Sequence, residues 1–218
     1  MTVRAAIAVS VTATLTSACA LGYAELALPA QPLLSHYALV PGGMAPTLLG
    51  MLALAAGCLS LAYGLVASDP RGTAASRVLL LAAAAGLMLS GIFPTDPATA
   101  ELKSLTGEVH RWSAAVVFTT LPVAGWALAR GRAGAVRWSA VRALAVAAAL
   151  MLAAYLAAHP ASVTSVWIGG EGYYGLLERA VVVADMALLA VMAVATPRPA
   201  AAPVPTSAVE ERPERLAA

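Results

Sequence analysis

Six stretches of 18–24 almost wholly apolar residues, separated by Pro- and Gly-rich breaks, dictate what this chain can fold into. They occupy residues 5–28, 44–66, 76–93, 109–129, 138–158 and 173–195. A hydrocarbon core about 30 Å thick needs about 20 helical residues to cross it, so each stretch is long enough to span a bilayer. The breaks carry helix-ending chemistry: Pro29 and Pro32, Pro41-Gly42-Gly43, Asp69-Pro70-Arg71-Gly72, Pro94 and Pro97, Gly131 and Gly134, Pro160, Gly169-Gly170, and Pro197 with Pro199.

Composition excludes the other broad classes. Of 218 residues 61% are hydrophobic and 11% charged, against about 25% charged in a soluble domain. A soluble globular enzyme is therefore excluded, and so is a largely disordered chain. Cys19 and Cys58 both lie inside apolar runs, which excludes a disulfide-stapled secreted domain. The expected fold is an all-α polytopic membrane bundle of six transmembrane helices over residues 1–196. Residues 197–218, with Pro197, Pro199, Pro203, Pro205 and Pro213 among small and charged residues, are expected to form a disordered tail. Membrane lipids are the expected partners, and no basic patch suggests nucleic acid. A signal peptide is the alternative for the first stretch, because Arg4 precedes it and Ala18-Cys19-Ala20 has cleavage-like spacing. The apolar run continues to Leu28, which favours a retained span.

Charge sets the sidedness. Arg4, Arg71, Arg77, Arg130, Arg132, Arg137, Arg142, Arg198, Arg212 and Arg215 flank one side of the stretches, and only Lys103, Arg111 and Arg179 flank the other. Positive residues are retained on the cytoplasmic face, so both termini are expected in the cytoplasm of a plasma-membrane protein. Glu25, Asp96, Glu101, Glu108, Glu171 and Glu178 then fall outside, as do His36, His110 and His159. Any chemistry is expected on the extracytoplasmic side.

Small residues recur every four positions at Ala82, Gly86 and Ser90 and again at Ala53 and Gly57, a spacing that lets helix backbones approach closely in lipid. In so Ala-rich a chain this reads as generic tight packing. Ser10, Thr12, Thr14, Thr16 and Ser17 are expected to bond carbonyls of their own helix.

Ionisable groups within spans cost about 2.5–3.5 kcal/mol at a helix centre, which makes them the best functional pointers. Tyr174, Glu178 and Asp185 are separated by four and seven residues and share one helix face. Counted from Tyr173, Glu178 lies about 7–8 Å and Asp185 about 18 Å along the helix at 1.5 Å per residue. If the third, fourth and sixth spans adjoin, Asp96, His110, Arg111, Glu178 and Arg179 meet at one depth on the outer rim. In a structural reading Glu178 pairs with Arg111, Arg179 reaches Asp96 or a headgroup phosphate, and His110 caps a loop carbonyl. In a binding reading the same groups, with Tyr174 and Asp185, hold a lipid headgroup or small amphipathic ligand. Asp185 is expected to bond a hydroxyl of a neighbouring helix.

Two further classes stay open. A metal-dependent intramembrane lipid hydrolase would gather His36, His110, His159 and Asp96 around Zn²⁺, but no two histidines stand at a helical ligand spacing. A serine hydrolase would use Ser113 with His110 as base and Asp96 as orienter, although neighbours on one helix rarely achieve that geometry. A proton-coupled small-solute transporter would relay protons through Glu178 and Asp185. With no complete signature, no catalytic residue, metal site or cofactor is assigned, and the favoured reading is non-enzymatic.

Phe93-Pro94-Thr95-Asp96 closing one span, His110 opening the next, and Gly175-Leu176-Leu177-Glu178-Arg179 in the last form an ordered set. On these motifs the chain resembles the bacterial integral-membrane family termed domain of unknown function 998, over roughly residues 5–195. The resemblance implies a six-span membrane protein with Asp96, His110, Glu178 and Arg179 in its polar signature. It implies no activity.

Overall fold

The computed structural model describes residues 1–97, 103–130, 132 and 136–197, and among these it contains helices and no strands. Glu101, Gly131, Gly134 and the tail beyond Pro197, with its three arginines, lie outside the described residues. The long helices are α1 (Val3–Ala27), α2 (Met44–Ser68), α3 (Ala74–Ile92), α4 (Leu105–Ala129) and α5 (Val136–Ala158). A short α6 (Val163–Ile168) precedes α7 (Tyr174–Ala195). Helices α1 to α5 are each long and apolar enough to cross a membrane. Helix α7 is 22 residues long and carries Glu178, Arg179 and Asp185.

Local chemistry explains several of the ends. Thr2 Oγ1 accepts the N–H of Ala5 at the start of α1, and Ser104 Oγ accepts that of Gly107 at the start of α4. Each satisfies one of the donors a helix N-terminus leaves unpaired. Pro46 sits in the first turn of α2, where the missing N–H has no helical partner to lose. Gly169 at φ +63° ends α6 in the left-handed conformation that glycine adopts most readily.

The long helices form a ring in the order α1, α2, α3, α4, α5, α7, with α7 returning to α1 and also reaching α4 and α2. Helices α3 and α7 are not neighbours. The adjacency expected of the third, fourth and sixth stretches thus holds only through α4. Close approach is bought with glycine: a Cβ at Gly57 would stand 3.3 Å from the Ser10 carbonyl of α1, and one at Gly64 would stand 3.1 Å from Ala6 Cβ. Across α3 and α4, a Cβ at Gly86 would meet the Ser113 carbonyl at 2.8 Å. With Gly50 against Leu21, the α1-facing glycines of α2 recur every seven residues, a seam that sequence spacing of four did not reveal.

The two halves of the bundle differ. In the half containing the α2–α3 turn, Leu61, Leu65, Leu80, Leu121, Leu128, Val141, Leu188 and Met192 are fully buried and make a continuous apolar core. At that end Arg132 Nη2 meets Asp69 Oδ2 at 3.1 Å, tying the two connecting turns together. The opposite end carries the longer connections: a 3₁₀ segment (Leu34–Leu39), the loop from Phe93 to Ser104, and α6 with a second 3₁₀ turn (Gly170–Gly172). Exposed aromatic side chains mark both ends, with Tyr23, Trp112 and Trp167 at the elaborated end and Tyr63 and Trp126 at the other. Two such girdles suit the two interfaces of a bilayer.

Candidate functional site

The elaborated half of the ring encloses a cavity of about 670 Å³, within the size range of small-molecule sites. Its wall draws on every long helix, from Ser17 and Leu21 in α1 and Thr47, Met51 and Leu54 in α2 to Leu87 in α3 and Phe118 in α4. Tyr155 of α5 and Tyr174, Glu178, Val182 and Asp185 of α7 complete it. The mouth is formed by Leu33–Ser35, Arg111, Trp112 and the turn from His159 to Ser162. Below Asp185 the α7 face continues as Leu188, Leu189 and Met192, all fully buried, so packed hydrocarbon closes the cavity toward the other end.

Each polar residue singled out in the sequence has a definite place. Glu178, 6% exposed, accepts the backbone N–H of Leu34 at 2.6 Å and so pins the loop after α1 to α7. Arg179 turns away from the cavity toward Glu25. Its Nε donates to Oε1 at 3.0 Å, Nη2 lies 3.0 Å from Oε2, and the carbonyls of Gln31, Pro32 and Gly175 take its remaining donors. Tyr174 stacks on Tyr155 with ring centroids 4.6 Å apart and donates its hydroxyl to the other at 2.6 Å. His159 packs edge-on against the same Tyr174 ring, at 5.2 Å between centroids. Burial, with the positive charges of Arg111 and Lys103 adding to it, holds the His159 imidazole below its ordinary pKa.

His110 caps the end of α3. Carbonyl oxygens only accept, so its Nδ1 carries the proton that is shared between the Ser90 carbonyl at 2.9 Å and the Phe93 carbonyl at 3.0 Å. Arg111 pairs with Glu108 one turn earlier on its own helix at 3.0 Å. Asp96 lies in the loop and accepts from both the hydroxyl and the N–H of Ser104. That hydrogen bonding, chiefly from the hydroxyl, holds its carboxyl below the usual carboxylate range. The polar residues therefore form separate local arrangements. Glu178 meets a backbone N–H where Arg111 was expected, and Arg179 meets Glu25 where Asp96 was expected.

The catalytic alternatives lack their geometry. The Nδ1 of His110 is committed to carbonyls and Asp96 to Ser104, so Asp96 does not orient His110 toward Ser113. Among the described residues no group of three His, Cys, Asp or Glu side chains is placed to hold a metal ion. His36 is buried in the 3₁₀ segment, and that burial, with the nearby His110 adding to it, holds its imidazole below its ordinary pKa.

Asp185 has the most unusual surroundings. It is 2% exposed, and neither carboxyl oxygen has a hydrogen-bond partner. The neighbouring hydroxyl expected of it is absent from its reach. Ser17 Oγ and Thr47 Oγ1, on the same cavity wall, are likewise buried without partners. Only Thr14 of the buried α1 hydroxyls bonds its own helix, donating to the Ser10 carbonyl at 2.8 Å. Ser10 and Ser17 do not, contrary to expectation: both hydroxyls are buried without a partner, and that of Ser17 lies on the cavity wall.

A family profile described as "Protein of unknown function (DUF998)" matches residues 5–195. The chain belongs to the DUF998 family. Together with its apolar helices, this makes it a multi-pass integral membrane protein. No curated protein and no solved structure matches the chain. In this DUF998 member the cavity adds Thr47 and Tyr155, which sequence reasoning did not select, and takes in Ser17 and His159, which it had read as a helix-bonded hydroxyl and as a ligand in the metal-dependent alternative. Tyr155 carried one available signal, a single aromatic hydroxyl in an otherwise Ala- and Leu-rich helix.

Proposed function

We propose that this protein is a six-span plasma-membrane binding protein that holds one small amphipathic molecule, a lipid or lipid-like compound, in the cavity at its extracytoplasmic end. Helix α7 serves as the sixth span, with its charged residues facing loops and cavity and its lipid side apolar at Leu176, Val183 and Val194. Among the described residues Arg4, Arg71, Arg77, Arg130, Arg132, Arg137 and Arg142 flank the end opposite the cavity, which supports cytoplasmic termini and an outward-facing mouth. One observation carries the reading: a cavity of about 670 Å³, apolar in most of its wall and polar at its mouth, is sealed on one side by fully packed core. A one-sided pocket suits binding better than passage. The same seal argues against a proton relay, because no titratable side chain of α7 continues beyond Asp185.

The experiment is mass spectrometry of small molecules that co-purify with the protein in detergent, comparing the native chain with the cavity-filling variants Ala114→Phe and Val182→Trp. A near-stoichiometric amphiphile that disappears from folded variants is the expected result. An empty native protein that also binds no added amphiphile would sink the reading. Reagents that label single introduced cysteines from outside intact cells test the sidedness: Ser162→Cys should react and Ser68→Cys should not.

A further inference from the structure

The floor of the cavity names the chemistry of its occupant more narrowly than its shape does. Asp185 presents two buried, unpartnered acceptor oxygens there, and the Ser17 hydroxyl on the adjoining α1 is also buried and unpartnered. Buried polar groups are ordinarily paired, and a buried acid without a partner is costly at membrane depth. No protein cation reaches it: among the described residues, Arg111 is the sole Lys or Arg on the cavity wall, and it lies at the mouth on Glu108. Between the mouth and the floor stand Tyr155, Tyr174 and Phe118, an aromatic cluster that suits a hydrocarbon body.

We infer that the occupant is a lipophilic amine, its alkylammonium group seated on Asp185 with Ser17 as a second acceptor and its hydrocarbon body against the apolar wall. An ammonium offers three donors and one positive charge, so it satisfies both carboxyl oxygens and neutralises the site together. A neutral alcohol offers one donor and no charge, and an anionic headgroup brings no donor to the two Asp185 oxygens. This inference rests on the binding reading above and adds the ligand's chemical class to it.

The test uses the full chain in a non-ionic detergent, with octylamine and 1-octanol as probes of equal chain length, and measures direct binding by equilibrium dialysis. The native protein should bind octylamine at least about tenfold more tightly than 1-octanol, a margin of the size charge-assisted hydrogen bonds supply. Asp185→Asn should abolish that preference while 1-octanol binding stays, and Ser17→Ala should reduce it in part. Equal binding of the two probes by the native protein, or a preference that survives in Asp185→Asn, would overturn the amine assignment and leave the binding reading standing. Binding of neither probe would overturn both. Because the probe comparison is made on the native chain, the inference stays falsifiable even if Asp185→Asn does not fold.

Discussion

The carboxylate of Glu178 accepts the backbone N–H of Leu34 at 2.6 Å, joining helix α7 to a loop 144 positions earlier in the chain. A carboxylate buried near the start of α7 here replaces the partner that an irregular loop denies to its own backbone.

That relationship predicts a graded response to substitution. Glu178→Ala leaves the Leu34 N–H unpaired in a half-buried place, which costs about 1 kcal/mol. Glu178→Gln keeps an acceptor oxygen in reach and should retain most of the stability. Thermal unfolding of the two variants in detergent checks it, and equal losses would show that charge matters there and not the acceptor.

Arg179 makes a different forecast. Its guanidinium serves Glu25 and three carbonyls at once, a fork that a Lys ammonium cannot reproduce. The ion pair itself is partly exposed, at 21% and 37%, so screening limits it to about 1 kcal/mol or less. Arg179→Lys should therefore shift the unfolding midpoint little but speed amide hydrogen exchange over residues 28–33. Unchanged exchange in that loop would show that the carbonyl contacts are dispensable.

The helices were legible in the sequence because the bilayer demands a contiguous apolar length. The stretch 44–66 becomes Met44–Ser68, and 76–93 becomes Ala74–Ile92. The partners of the polar residues were not legible, for two physical reasons. Local contacts pre-empt distant ones: Arg111 finds Glu108 three residues away, and Asp96 finds Ser104 across its own loop. Other partners are backbone groups, such as the Leu34 N–H and the Ser90 and Phe93 carbonyls, which every residue possesses and no sequence pattern marks. The shared face of Tyr174, Glu178 and Asp185 followed from helical spacing alone, but the hydroxyls of Ser17 and Thr47 opposite it depend on how α1 and α2 are rotated in the ring.

The Asp96 clasp should respond to acid. Its folded pKa is lowered, chiefly by the Ser104 hydroxyl, so the stabilisation is present above the ordinary carboxylate range and is lost as pH falls through the depressed folded value. Protection of the Ser104 and Gly107 amides, taken relative to their intrinsic exchange rates, should fall on acidification below about pH 4. In Asp96→Asn, exchange there should be faster at neutral pH and show no such acid step. Gly107→Ala should mimic the open form, because a Cβ there collides with the Asp96 carboxylate. An acid step that persists in Asp96→Asn would assign it to another group.

Glycine substitutions along the seams should rank by the space each Cβ would meet. At Gly86 the nearest atoms are the Ser113 carbonyl at 2.8 Å and Val117 Cγ2 at 2.9 Å, so Gly86→Ala must push α4 away from α3. Overpacking of that kind costs about 1–3 kcal/mol. At Gly57 the nearest atoms stand at 3.3 Å, and one is the tip of Leu189, so a smaller loss is expected. Gly22 meets nothing within 4 Å, and an alanine there restrains the unfolded backbone without a clash, leaving stability unchanged or slightly raised. The predicted order of unfolding midpoints is Gly22→Ala, Gly57→Ala, Gly86→Ala, from highest to lowest. A uniform response would mean that backbone entropy dominates these positions, whereas the ranked one would show that the ring is held at α1–α2 and α3–α4 by contact distance itself.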